Sequence, residues 1–109
     1  MSLLCKAAAS GSISRCRQLL EAGSDVEEKD EDGWTPLLNA AYFGHTEVCE
    51  LLLEEAKANI EEIDADGDTA LKLAASKGHA STVALLLSKE ARDGFTPLLP
   101  RKATKTFAR

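Results

Sequence analysis

An all-α solenoid of three stacked helix-turn-helix units, with an irregular, truncated fourth, is the fold class this sequence predicts, and three observations predict it. First, the chain copies itself. The stretch Asp32-Gly33-Trp34-Thr35-Pro36-Leu37-Leu38-Asn39-Ala40-Ala41-Tyr42-Phe43-Gly44-His45, with the helical run after it, meets Asp66, Gly67, Thr69, Leu71, Ala74, Ala75, Gly78, His79 and Leu85-Leu86-Leu87 when displaced by 34 positions. Displaced back by 33, it meets Ser2, Leu4, Ala7, Ala8, Gly11, Cys16, Leu19 and Leu20. A period in this range marks a stacked array. Second, each copy carries start and stop signals for two helices. Third, two helices of roughly 8 and 11 residues cannot bury their apolar faces alone, so each hairpin must be covered by the next.

The elements follow in order. In the first unit, about residues 1–30, the first helix spans 3–10 and lacks the Asp-Gly turn and the Pro. Its second helix carries Arg15, Arg17 and Gln18 where the next copy has Val48, Glu50 and Leu51. Polar replacements of this kind suit a terminal unit with one face in solvent. Gly23 ends that helix, and Asp32-Gly33 is a hairpin-type turn. In the second unit, 31–63, Thr35 is placed to cap a helix that Pro36 opens, where a missing N–H is harmless. Leu37, Ala40 and Ala41 give that helix an apolar face, and the alanines admit a close neighbour. Gly44 stops it, and His45-Thr46 opens a second helix to about Glu55.

The joint after this unit has one residue more than the first, and Lys57 stands in the place of Gly23. A left-handed residue without Gly costs about 1 kcal/mol, so the chain is expected to go around Lys57, with Asn59 taking the strained angle. In the third unit, 64–91, Ala70 replaces the Pro and Lys72 replaces Leu38. Neither blocks a helix. Residues 94–99, Gly-Phe-Thr-Pro-Leu-Leu, restate residues 33–38, yet Gly67 to Gly94 is 27 positions, too few for a complete joint. Pro100 then falls where the helix should propagate. Residues 92–109 are therefore a truncated fourth repeat or a C-terminal tail.

Charge and composition limit the function classes. Thirteen basic and eighteen acidic side chains leave −5, and four of the basic ones, Arg101, Lys102, Lys105 and Arg109, lie in the last ten residues. The repeats are thus strongly acidic. No basic face can be assembled on them to neutralise phosphates, so nucleic-acid binding is not expected. There is no apolar run long enough for a membrane span, and the interrupted N-terminal segment does not read as a signal peptide. The expectation is a chain that works inside the cell, in cytoplasm or nucleus, without membrane contact. Cys5, Cys16 and Cys49 are odd in number and sit on helix positions, which favours buried reduced thiols over a disulfide.

At Asp32-Gly33-x-Thr35-Pro36-Leu37, Ala40-Ala41, Gly44-His45 and Leu51-Leu52-Leu53, with a second set between Asp66 and Leu87, the sequence resembles the ankyrin-repeat family over about residues 2–89. The resemblance implies pairs of antiparallel helices followed by β-hairpin fingers, a concave face, and protein binding as the usual task. The family's variable contact positions, carried over, are Glu31, Asp32, Trp34, Tyr42 and Phe43 in the second unit, and Asp66, Asp68, Ser76 and Lys77 in the third. Trp34, Tyr42 and Phe43 on one face would form an aromatic anchor of the kind enriched at binding hot spots. The blander alternative is inward packing of Tyr42 and Phe43. Trp34, in a turn, is expected to be the most exposed of the three. Acidic residues placed on the fingers would steer a basic partner there, or would simply keep the stack soluble.

No catalytic, metal or cofactor site is expected. Asp64-x-Asp66-Gly67-Asp68 suggests a calcium loop, but Ala75 stands where the twelfth-position Glu is required, so a turn is the better reading. His45 and His79 recur at one site on successive units and cannot pair with a nucleophile there. Leu38 and Lys72 replace the His that the family places after Thr-Pro-Leu. The expected function is a non-catalytic protein-protein interaction module that docks another protein bearing basic or apolar groups. The alternative is a structural or self-associating protein, a weak homo-oligomer formed through the C-terminal end and its basic tail.

Overall fold

A computed structural model describes residues 3–92, the side chains of 90–92 excepted. The expectations for residues 93–109 lie outside the described residues. Six helices form three antiparallel pairs: α1 (Leu3–Ser10) with α2 (Ile13–Glu21), α3 (Pro36–Tyr42) with α4 (Thr46–Glu54), and α5 (Ala70–Ser76) with α6 (Ala80–Arg92). The first helices α1, α3 and α5 pack in one row, and α2, α4 and α6 follow behind them.

The local reasons are those read from the sequence. Thr35 is the N-cap of α3, its Oγ1 accepting the Leu38 N–H at 3.2 Å, with Pro36 next to it. Thr69 caps α5 in the same way at 3.3 Å, so Ala70 in place of the Pro leaves the start intact. Gly11, Gly44 and Gly78 end the first helices at φ +78°, +75° and +77°. The following N–H then reaches back five residues, as in His45 N–H to Ala40 O at 2.9 Å, which satisfies a carbonyl the helix end would otherwise orphan. The core threads through all three units: Leu4, Ala8, Cys16, Leu38, Ala41, Leu52, Ala74 and Leu86 are wholly or almost wholly buried. All three cysteines are buried, and none forms a disulfide among the described residues.

Two expectations are corrected. Lys57 itself takes the left-handed angle, φ 59°, rather than being bypassed through Asn59. The Ala58 N–H bonds Leu52 O at 2.9 Å, as Ser24 N–H bonds Leu19 O at 3.0 Å, so the extra residue only widens the same closing loop. Asn59 instead turns the chain, its Oδ1 accepting the Glu61 N–H at 3.0 Å. Second, the fingers are not β-hairpins: among the described residues there is no strand. Each tip closes on two backbone bonds: Asp30 N–H to Trp34 O at 2.9 Å with Gly33 N–H to Asp30 O at 3.0 Å, and Asp64 N–H to Asp68 O at 3.1 Å with Gly67 N–H to Asp64 O at 3.0 Å. The donors that would extend a ladder go to side chains: Asp30 Oδ1 accepts Asp32 N–H (2.9 Å) and Trp34 N–H (3.0 Å), and Asp64 Oδ1 accepts those of Asp66 and Asp68, both at 2.9 Å.

A candidate partner-binding face

The seam between units is set by residues whose role the sequence alone did not disclose. His45 places Nε2 2.9 Å from Ala9 O, and His79 places Nε2 2.9 Å from Tyr42 O, so in each ring that nitrogen donates to the end of the preceding unit's first helix. Each ring also lies flat over a glycine of that unit. A Cβ on Gly11 would sit 2.6 Å from His45 Nδ1, and one on Gly44 2.5 Å from His79 Nδ1. The Gly-His pair is therefore a lock across units: the Gly of one takes the His of the next. The signal that could have found it is the recurrence of Gly and His at one period with no partner for the imidazole inside its own unit. Behind the seam, Thr46 and the fully buried Thr82 join their hydroxyls at 2.8 Å, and Lys89 pairs with Glu54.

On this frame the aromatic residues come together. Trp34 leaves the finger base and meets Tyr42 edge to face, ring centroids 4.9 Å apart; Tyr42 meets Phe43 in the same way, also at 4.9 Å. Such contacts each contribute about 0.5–1.5 kcal/mol beyond burial. Phe43 stacks on His45 at 6.4 Å, and from the next unit Lys77 brings its ammonium to 4.7 Å from the Tyr42 ring centre. Exposure runs opposite to expectation. Phe43 is the open one at 49%, while Trp34 and Tyr42 are half-buried and lean on the core. Trp34 is held from both sides, its N–H by Asp30 Oδ1 and its carbonyl by the Cys5 thiol at 3.3 Å.

The other candidate residues are dispersed. Glu31 and Asp32 are exposed at the tip of the second finger and line a hollow with Lys6, Ala9 and Asn39. Lys6 was not among the sequence candidates. Asp66 is exposed at the tip of the third finger, and Asp68 pairs with Lys72 at 3.3 Å. Ser76 turns its hydroxyl back to Leu73 O at 3.0 Å. Much of the acidic charge is used inside the stack: Glu27 Oε2 accepts the Asn59 N–H at 2.6 Å, and Glu62 lies 3.8 Å from Lys29. Glu31, Asp32 and Asp66 have no side-chain hydrogen bond or ion pair among the described residues.

The acidic loop of unit three brings carboxylate oxygens of Asp64, Asp66 and Asp68 within 4.8 Å of one another. Its geometry repeats that of unit two, where Asp30 makes the same two bonds to the backbone and Trp34 stands at the position of Asp68. The turn accounts for the shape. Asp30 has in addition the Asn39 amide on Oδ2 at 3.1 Å; Leu73 stands at that place in unit three. Burial pushes the Cys16 thiol up, and the Cys49 thiol up to about 12, so neither is a ready nucleophile. No helix of the described residues is long and apolar enough to cross a membrane.

The chain is similar to parts of several longer proteins. It is 48% identical over 48 residues to protein phosphatase 1 regulatory subunit 12A of Mus musculus, a match covering 44% of this chain and 5% of that protein. It is 45% identical over 53 residues to the 2-5A-dependent ribonuclease of Mus musculus, covering 48% of this chain and 7% of the relative. To the ankyrin repeat, SAM and basic leucine zipper domain-containing protein 1 of Mustela putorius furo it is 41% identical over 49 residues, 45% of this chain and 10% of that protein. The matches thus span a tenth or less of each relative. Ankyrin repeats generally mediate protein-protein interaction. The model for ankyrin repeats in three copies matches residues 4–98, most of the sequence, and with the stacked helix pairs it shows that this chain belongs to the ankyrin-repeat family.

Proposed function

We propose that this chain is a non-catalytic module that docks a partner protein on the face made by the fingers and the ends of the first helices, centred on Trp34, Tyr42 and Phe43. The observation that carries the reading is the continuous aromatic path from finger to helix end, open at Phe43. Aromatic residues are scarce in this sequence, 5% of it, and three of the five lie on this path. Large rigid rings beside solvent give contact area at little cost in conformational entropy. The uncommitted carboxylates of Glu31, Asp32 and Asp66 on the finger tips complement a partner with basic groups flanking an apolar one. Phosphatase regulatory subunit 12A is named as a regulatory subunit, which is compatible with a binding role for repeats of this kind. Work inside the cell fits the reduced, buried cysteines.

Selection of peptides from a random displayed library against the whole chain tests the reading. Recovered peptides should be rich in Arg or Lys beside an apolar residue, and should lose affinity at least tenfold for the Trp34→Ala/Tyr42→Ala variant at unchanged helix content. Peptides that bind the variant equally well, or that are acidic, would contradict it.

The second reading is self-association. It rests on Ile63, on the last described finger, and Leu87, on α6, each 47% exposed. A dimer through that face requires the chain to leave it uncovered.

A further inference from the structure

The outer side of unit three is built as an inner side. Several positions that are buried in the first two units are more open in the third. Leu4 and Leu37 are buried but Leu71 only in part; Ala8 and Ala41 are fully buried but Ala75 is exposed. Cys16 and Cys49 are fully buried while Val83 is half-buried, and Leu20 and Leu53 are half-buried while Leu87 is exposed. On the finger, Lys29 reaches Glu62 of the next unit, and its counterpart Ile63 reaches nothing of the kind among the described residues. Apart from Lys72, these replacements are apolar, and Ala75 keeps the small size that lets another helix approach. A terminal unit meant for water would carry polar groups here, as unit one does at Arg15, Arg17 and Gln18.

We propose that residues 94–99 of this same chain cover that face, in the place where the first helix of a fourth unit would lie. Their sequence, Gly-Phe-Thr-Pro-Leu-Leu, restates the segment Gly33-Trp34-Thr35-Pro36-Leu37-Leu38. That segment covers unit one: Leu37 and Leu38 are 2% and 1% exposed, and α3 packs on α1. The match to ankyrin repeats also continues to residue 98. Length permits the return. Residues 93–96 span about 13 Å when extended, comparable to the diagonal of about 11–14 Å from a second helix to the next unit's first helix when neighbouring helices pack at roughly 8–10 Å. The continuation of α6 to Arg92, 13 residues against nine in α2 and α4, fits a joint without a finger.

The test places a nitroxide on Ala103→Cys, just beyond the segment, in the full chain, where the buried native thiols do not compete for the label. Amide signals are then read by NMR. Signals of Leu71, Ala75 and Leu87 should fall at least twofold, with those of Leu4 and Ala8 unchanged, and the loss should disappear in the Leu98→Asp/Leu99→Asp variant. Full signals at Leu71, Ala75 and Leu87 in the labelled chain would overturn it. So would an equal loss in unlabelled chains mixed with labelled ones, because the cover would then be a second copy.

Discussion

Units two and three share one frame and differ in what lies on it. Both open their first helix on a capping Thr, close it on a left-handed Gly, and turn their finger around one buried or half-buried Asp. Unit two then carries Trp34, Tyr42 and Phe43 where unit three carries Asp68, Ser76 and Lys77. It also has a neighbour on both sides. The comparison separates what the repeat needs in order to stack from what it is free to vary, and the varied positions are those proposed to meet a partner.

Glycines give the largest test of the comparison. Gly44 and Gly78 have nearly the same angle, but only Gly44 lies under the histidine of a following unit. Gly44→Ala combines left-handed strain with a clash against His79 and should destabilise by about 2–4 kcal/mol. Gly78→Ala carries strain alone and should cost about 1–2 kcal/mol. Urea unfolding of the two variants reads the difference, and equal losses would remove the lock from the account. Next in size is Asn39→Leu, which gives unit two the residue of unit three and deprives Asp30 of its amide. A loss of about 1–2 kcal/mol is expected in the same measurement. Lys57→Gly should act in the opposite direction, raising stability by up to about 1 kcal/mol, because it removes the one described non-Gly residue at positive φ.

The smallest effect near neutrality concerns the thiols. Cys49 goes from about 9.0 to about 12 on burial. Below pH 9 both folded and unfolded chains keep the proton, so stability is unaffected. Between 9 and 12 the unfolded chain releases it first, and stability should fall as pH rises. Unfolding curves from pH 7 to 11 check the sign. Thiol reagents at pH 8 should leave Cys16 and Cys49 unmodified until the chain unfolds.

Much of the stack could be read from residues alone, because helix caps and stops are local. Thr35, Pro36, Gly44 and the spacing of Leu37, Ala40 and Ala41 act through their own turn of chain, and the structure keeps them there. What escaped was non-local or a competition between near-equal costs. The bonds of His45 and His79 reach back 36 and 37 residues, beyond any single motif. At Lys57 the backbone accepted a strained angle to keep the closing bond to Leu52, and on the fingers Asp30 and Asp64 took the donors a ladder would have used. A turn position suggests an outward Trp34, but the carbonyl bond to Cys5 and the Tyr42 ring draw it in. The aromatic residues of the candidate site were legible as a group; their order of exposure was not.

Trp34 is the single tryptophan of the chain, so its fluorescence reports on the proposed site without labelling. The most direct measurement of the binding reading is a titration of the full chain with the strongest basic, apolar peptide from the library selection, following Trp34 emission. A saturable shift in emission, weakened at least tenfold by Tyr42→Ala/Phe43→Ala and reduced by salt, is the predicted result. Saturable binding detected by calorimetry with no change in Trp34 emission, and equal affinity for the variant, would place the partner elsewhere and contradict the account.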